Sequence, residues 1–233
     1  MIPPFQDHPL VEEFNELKKY FRQHETEASR RRIKQFRSFA RVIAEAGLPV
    51  GFDVMGSVNF GLATENSDVD LVLYVVCEDG YEGECPSPHC RTQQYVENLL
   101  IHTWIRGISD SPYPVQVVDC INLNLLKRDL EKGDPESSCL LRFAFYRSVC
   151  RGVNARLLRP YHKALLENQE LVEKMKPYLW TLFDELVKSS KHNYSLMKYQ
   201  DRLSQLGIGI PQSILGRIRG HLDQSRRHHG DGI

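Results

Sequence analysis

Two aspartates one residue apart, Asp68 and Asp70, interrupt the apolar run Val69, Leu71, Val72, Leu73, and this pattern leaves few folds open. In an extended strand, residues i and i+2 point to the same face, about 7 Å apart along the chain. Val69, Leu71 and Leu73 then pack on a core from one face while both acids share the other. Asp is depleted in strands, so two of them need a reason. Held together away from water, two carboxylates repel, and one takes up a proton unless a cation lies between them. The plainer account is a turn followed by a strand with two solvent-facing acids. The apolar alternate positions argue against it.

The same segment begins with Gly56-Ser57 and runs GSVNFGLATENSDVDL to Leu71. Val50 to Met55 reads as a strand, so Gly56-Ser57 falls where a strand passes into a helix and presents N–H groups and a hydroxyl to an anion. Without a Cβ, Gly56 lets a phosphate approach the backbone closely. Asn66 and Ser67 form turns readily and bring the next strand back beside the first. A phosphate cradle facing paired hard-oxygen ligands points to Mg2+ or Mn2+ bound jointly with substrate phosphates.

Around this segment the chain divides by character. Pro9 to Ala46 has helical periodicity, through Leu10, Phe14, Leu17 and Phe21 and then Ile33, Phe36, Ala40 and Ile43, and ends at Gly47 and Pro49. Val50–Met55, Asp68–Cys77 and Val115–Cys120 read as strands, with a helix at Gln93–Arg106 between the last two. From Asn122 onward the pattern is helical, broken at Gly133–Pro135, Gly152, Pro177 and Gly207–Pro211. The expected fold class is α+β: a small mixed β-sheet with N-terminal helices and a C-terminal all-helical half. The expected domains are 1–135 and 136–233, divided near Gly133. The formal net charge of zero conceals 14 Lys+Arg against 21 Asp+Glu in residues 1–135, and 16 against 9 in residues 136–233. An acidic half joined to a basic half suits a protein that holds cations on one side and a polyanion on the other.

The remaining composition narrows the class. With 233 residues, 41% hydrophobic and 26% charged, the chain is long enough for a large core, and it is neither disordered nor fibrous. Leu71 to Cys77 is far too short to span a membrane. The amino terminus, MIPPFQDHPLVEEF, has neither the basic nor the apolar region of a secretory signal, so a cytoplasmic location is expected. The six cysteines, at 77, 85, 90, 120, 139 and 150, lack a disulfide framework's spacing and are expected to be reduced. Cys77 to Cys90 gathers three thiols and His89. It has no paired C-x2-C knuckle and reads as a Pro-bearing loop rather than a zinc site.

The segment resembles the nucleotidyltransferase superfamily that includes DNA polymerase beta. That family's signature is Gly-[Gly/Ser], a spacer of about ten residues, then Asp-x-[Asp/Glu], with a further acid on a later strand. Gly56, Ser57, Asp68 and Asp70 match it directly. With Gly61, Leu62, Ser67 and Leu71 also in place, the wording is most similar to noncanonical poly(A) and poly(U) polymerases and oligoadenylate synthases. The resemblance covers about residues 47–135. It implies a third carboxylate, and Asp119 at the end of the VQVVDCI strand fits by order and distance. Asp110 lies in a Ser/Pro loop and Asp129 on a charged helix. Asp119 has the alternative role of capping the helix that follows.

The resemblance implies two-metal transfer of an NMP from an NTP such as ATP to an acceptor hydroxyl, with release of pyrophosphate. Asp68, Asp70 and Asp119 would be catalytic and would bind Mg2+ or Mn2+. Gly56 and Ser57 would hold the β and γ phosphates. Cations of the basic half would complete the clamp, with Arg147 and Arg151, at i and i+4 of one predicted helix, ahead of Arg142, Arg156, Arg159 and Lys163. The basic half and the cluster Arg30, Arg31, Arg32, Lys34, Arg37 and Arg41 favour RNA or a nucleotide as acceptor. No aromatic RNA-recognition pattern accompanies them. A small-molecule or protein acceptor would instead draw on Glu78, Asp79, Glu82 and Glu84. A nucleotide- or protein-binding partner of toxin–antitoxin type is the reading outside enzymology.

Overall fold

The computed structural model describes residues 11–77, 90–108 and 112–227. Helix α1 (Val11–Gln23) buries Phe14, Leu17 and Phe21. Thr26 caps helix α2 (Glu27–Glu45), its side chain accepting from Ser29 N, and α2 buries Ile33, Phe36, Ala40 and Ile43 as the periodicity predicts. Gly47, at φ +86°, turns the chain out of α2.

Four strands follow in a mixed sheet of order β3-β2-β1-β4. Strands β1 (Val50–Val54) and β2 (Val69–Val75) are antiparallel, joined through the short helix α3 (Gly56–Phe60). Strand β3 (Val115–Asn122) runs parallel to β2, with a register shift between Leu71 and Val72. The connection between β2 and β3 carries helix α4 (Arg91–Asn98), a π-helical stretch at Leu99–Ile105, and the single turn α5 (Arg106–Ile108). The helix expected at Gln93–Arg106 is therefore real but wound more loosely in its second half.

Strand β4 (Arg151–Gly152) corrects the sequence reading, because Arg151 is in the sheet and not on a helix with Arg147. Helices α6 (Leu123–Lys132) and α7 (Ser138–Val149) precede it, and α8 (Ala155–Glu167), α9 (Gln169–Lys188), α10 (Ser190–Gln205) and α11 (Gln212–Arg227) follow. Pro177, expected to interrupt, lies inside α9 without ending it. Buried Leu171, Val172 and Met175 before it and Leu179, Phe183 and Val187 after it hold both halves of α9 to one core, which outweighs the lost hydrogen bond.

The sheet separates two apolar clusters. Val50, Phe52, Val54, Val69, Leu71, Leu73 and Val75 face Ile33, Phe36, Phe39 and Ile43 of α2. Val72, Tyr74 and Ile121 face a larger cluster that runs from α1 through α7, α9, α10 and α11, across Gly133 without a break. The α+β class and the small mixed sheet agree with expectation. Among the described residues no helix is long and apolar enough to cross a membrane.

Within that larger cluster, His192 of α10 and His221 of α11 are buried with their Nε2 atoms 2.9 Å apart. One must be a neutral donor and the other a neutral acceptor. Burial pushes His192 down to about 3, with His221 adding to the effect, and pushes His221 down to about 4. Both values lie below that of an unfolded histidine, so the unfolded state takes up protons first and stability falls as pH drops below about 6.5. Lowering the pH from 7.5 to 5 is expected to cost about 2 kcal/mol for each imidazole kept neutral. Urea unfolding at the two pH values checks this. An unchanged stability difference in the double variant His192→Phe/His221→Leu would exclude the pair as its source.

Candidate functional site

The Gly56 turn and the Asp70 carboxylate meet where β1 ends. Met55 N donates to Asp70 O at 2.9 Å, which joins the end of β1 to the start of β2. Gly56 then takes φ +57°, and a Cβ on it would lie 3.4 Å from Asp70 Oδ2. Glycine is thus favoured by its backbone angle, and the Asp70 carboxylate lies within van der Waals reach of a Cβ built there.

Helix α3 is fastened from behind. Arg22 donates to Asn59 O at 2.6 Å and to Asn59 Oδ1 at 2.7 Å, and Asn59 Nδ2 donates to Val149 O at 2.8 Å. Lys18 Nζ reaches the same carbonyl at 3.2 Å. Burial, reinforced by Arg22, lowers Lys18 to about 8, and burial, reinforced by Arg151, lowers Arg22 to about 10. The loop from Gly61 to Asp68 is tied to the start of α2, with Thr26 N donating to Gly61 O at 2.9 Å and Thr26 Oγ1 to Ala63 O at 2.6 Å.

Asp68 is exposed just ahead of β2, and Asp70 is half-buried within it. Burial pushes Asp70 above the usual carboxylate range, Lys191 opposes the shift and Asp68 adds to it. Loss of solvent around the carboxylate is the main cause, and the neighbouring acid is the lesser one. Beside them opens a cleft of about 130 Å³, lined by Met55, Gly56, Asn59 and Asp70 on the sheet side and by Ser189, Lys191, Ser195 and Tyr199 on the helical side. Tyr199 stacks obliquely on Phe60, ring centroids 5.0 Å apart, and is hydrogen-bonded to Ser195.

The sequence reading did not include Lys191, Ser195 and Tyr199. Their spacing of i, i+4 and i+8 places them on one helix face, a signal available in advance only to a reader who already knew which face met the cleft.

Asp119 is buried on β3 opposite Val72, while Asp70 is opposite Gln116. Its Oδ1 accepts from Cys120 N at 2.7 Å and from Arg142 Nη1 at 2.7 Å, and Tyr146 hydrogen-bonds to the same carboxylate. Among the described residues no three of His, Cys, Asp and Glu gather as a metal-binding group. The structure therefore sets the Gly56 turn beside Asp70 at the cleft, keeps Asp68 within electrostatic reach of Asp70, and holds Asp119 against Arg142.

Arg147 and Arg151 are also committed within the fold. Arg147 pairs with buried Asp53 of β1, and Arg151 pairs with Glu25. In the α2 cluster Arg31 pairs with Glu65, and Arg32 lies buried over the Tyr113 ring, 4.3 Å from its centroid. Arg30, Lys34, Arg37 and Arg41 stay exposed, as do Arg156 and Arg159 of α8, while Lys163 lies 3.5 Å from Glu167. Asp129 accepts from Ser137 Oγ at 2.7 Å. Cys77 and Cys90 are buried, and Cys90 Sγ accepts from Gln93 N at 3.4 Å. Cys85, His89, Glu78, Asp79, Glu82, Glu84 and Asp110 lie outside the described residues.

Comparison of the chain with protein-family models, with curated proteins and with solved structures finds no match.

Proposed function

We propose that the chain is a metal-dependent nucleotidyltransferase that moves an NMP from an NTP to an acceptor hydroxyl, with RNA or a nucleotide as acceptor. The observation that carries this reading is the Gly56 turn set beside Asp70 on one wall of a cleft whose far wall supplies Lys191, Ser195 and Tyr199. The turn, beside the acids on the sheet side, and helix α10, across the cleft, offer N–H, hydroxyl and ammonium donors to the triphosphate.

The donor set fits Mg2+ or Mn2+. Two hard carboxylates lie two residues apart at the start of β2, and Asp70's raised pKa reports the burial of its charge, with Asp68 adding to it, both of which a divalent cation would offset. Asp68 and Asp70 would hold the metal, which stabilises the charge developing on the phosphate oxygens. Asp119 joins them only by exchanging the Arg142 guanidinium for that cation.

In the reaction the acceptor oxygen bonds to the α-phosphorus, and the bond from that phosphorus to the bridging oxygen breaks. Pyrophosphate leaves with the bonding pair, and the hydroxyl proton passes to solvent or to a site carboxylate. The chain's own part is positioning and fixed charge: Gly56 admits the phosphates, Ser57 and Lys191 donate to them, and Arg22 and Asn59 keep α3 from shifting.

Pyrophosphate release from each of the four NTPs with Mg2+ or Mn2+, with and without added RNA, tests the reading. Release that depends on the divalent ion is expected. Its absence with every NTP, acceptor and ion would overturn the assignment and leave a binding protein.

A further inference from the structure

We propose that the outer face of α10 is a docking strip for the 3′-terminal segment of a single-stranded RNA acceptor, and this rests on the nucleotidyltransferase reading. Lys191, Ser195, Lys198 and Arg202 recur at i, i+4, i+7 and i+11, which aligns them along about 16 Å of one helix face. Lys191 and Ser195 line the cleft beside Asp70, and Lys198 and Arg202 continue the line away from it.

The charge on this face is available. On neighbouring α9 the cations are spent on adjacent acids: Lys174 on Glu170 at 2.6 Å, Lys176 on Glu173 at 2.7 Å, and Lys188 on Asp184 at 3.2 Å. Among the described residues Lys191, Lys198 and Arg202 have no carboxylate within 4.0 Å, and Arg202 Nη1 is buried without an acceptor. Asp201 is the one acid of α10. Lines of unpaired cations match the repeated charge of a phosphodiester backbone.

Tyr194 supplies the second element. It lies on the same face between Lys191 and Lys198, 68% exposed, with Met197 50% exposed beside it. An exposed aromatic ring flanked by cations gives a base a π-face to stack on and does not read its hydrogen-bonding edge, so binding is sequence-tolerant. The strip leads a strand end to the carboxylates, where its terminal hydroxyl is needed.

The test uses the full chain and a 5′-fluorescein-labelled 15-nucleotide RNA of mixed sequence, followed by fluorescence anisotropy over a salt series. Tyr194→Ala is expected to weaken binding roughly 5- to 100-fold, and Tyr194→Trp to retain it. Lys198→Gln is expected to lower the slope of log affinity against log salt by about 0.7. Both side chains point to solvent, so melting temperatures should match wild type, and KM for the NTP should stay fixed while KM for RNA rises. Unchanged RNA affinity in both variants overturns the strip. Pyrophosphate release by a protein that does not bind this RNA also overturns it, and leaves nucleotidyl transfer standing. RNA binding that depends on Tyr194 and Lys198, without release from any NTP, supports the strip and refutes the transferase reading.

Discussion

Asp70→Asn is expected to reduce pyrophosphate release by about a thousandfold or more while leaving the fold intact or slightly stabilised. Asparagine keeps the shape of the side chain, so the space beside the Gly56 turn stays filled, but the charge that would hold a divalent cation is gone. The stability effect has the opposite sign. Burial and the neighbouring Asp68 raise Asp70 above its ordinary range, so its ionised form is a cost to the folded state at neutral pH. That cost shrinks as pH falls toward the unfolded carboxyl value, because the folded state binds the proton more tightly. A neutral isostere removes the cost and its pH dependence. Loss of activity together with an equal or higher melting temperature is therefore the diagnostic pair, the pattern of a residue kept for function at the expense of stability. Turnover within tenfold of wild type would sink the metal-site assignment. The same assay ranks Asp119: a loss as deep as that of Asp70→Asn in Asp119→Asn would mean that Asp119 trades Arg142 for the cation, and a loss below tenfold that it stays with Arg142.

The parts legible in the sequence are those set by short-range pattern. Gly56, Asp68 and Asp70 declare themselves because strand alternation puts the acids on one face and only glycine turns beside them. The α2 helix and the three longer strands follow from spacing in the same way. What escaped depends on partners far along the chain. Asp53, inside the strand expected at Val50–Met55, finds Arg147 across 94 positions, and no local pattern announces that pairing. Arg147 and Arg151 looked like a phosphate clamp because four-residue spacing implies one helix face. The chain instead leaves α7 at Val149 and turns into β4, which sends the two guanidinium groups to different acids. The helical side of the cleft escaped for a related reason: α10 carries polar residues on more than one face, and only docking decides which of them meets Asp70.

Arg147→Met is expected to destabilise the protein by about 3–5 kcal/mol at pH 7.5, the largest loss of stability among the substitutions considered. Asp53 has 0% exposure and is held by Arg147 and by the Tyr74 hydroxyl at 2.7 Å. Lys18 also acts on it electrostatically, but its nitrogen is bonded to Val149 O. Removing Arg147 leaves a buried carboxylate with one neutral donor, and the protein must either bury that charge or protonate it. Loss of the guanidinium raises the folded pKa of Asp53 further above the unfolded one, so the deficit should shrink as pH falls from 7.5 toward 5, the reverse of the trend set by His192 and His221. The double variant Arg147→Met/Asp53→Asn removes the stranded charge and should recover most of the loss. Urea unfolding of the four proteins at both pH values gives the cycle. Additive losses, with no recovery in the double variant, would mean that Arg147 contributes through packing against Gly152 and not through Asp53. Recovery would establish that Arg147 is structural, held in the fold to neutralise buried Asp53.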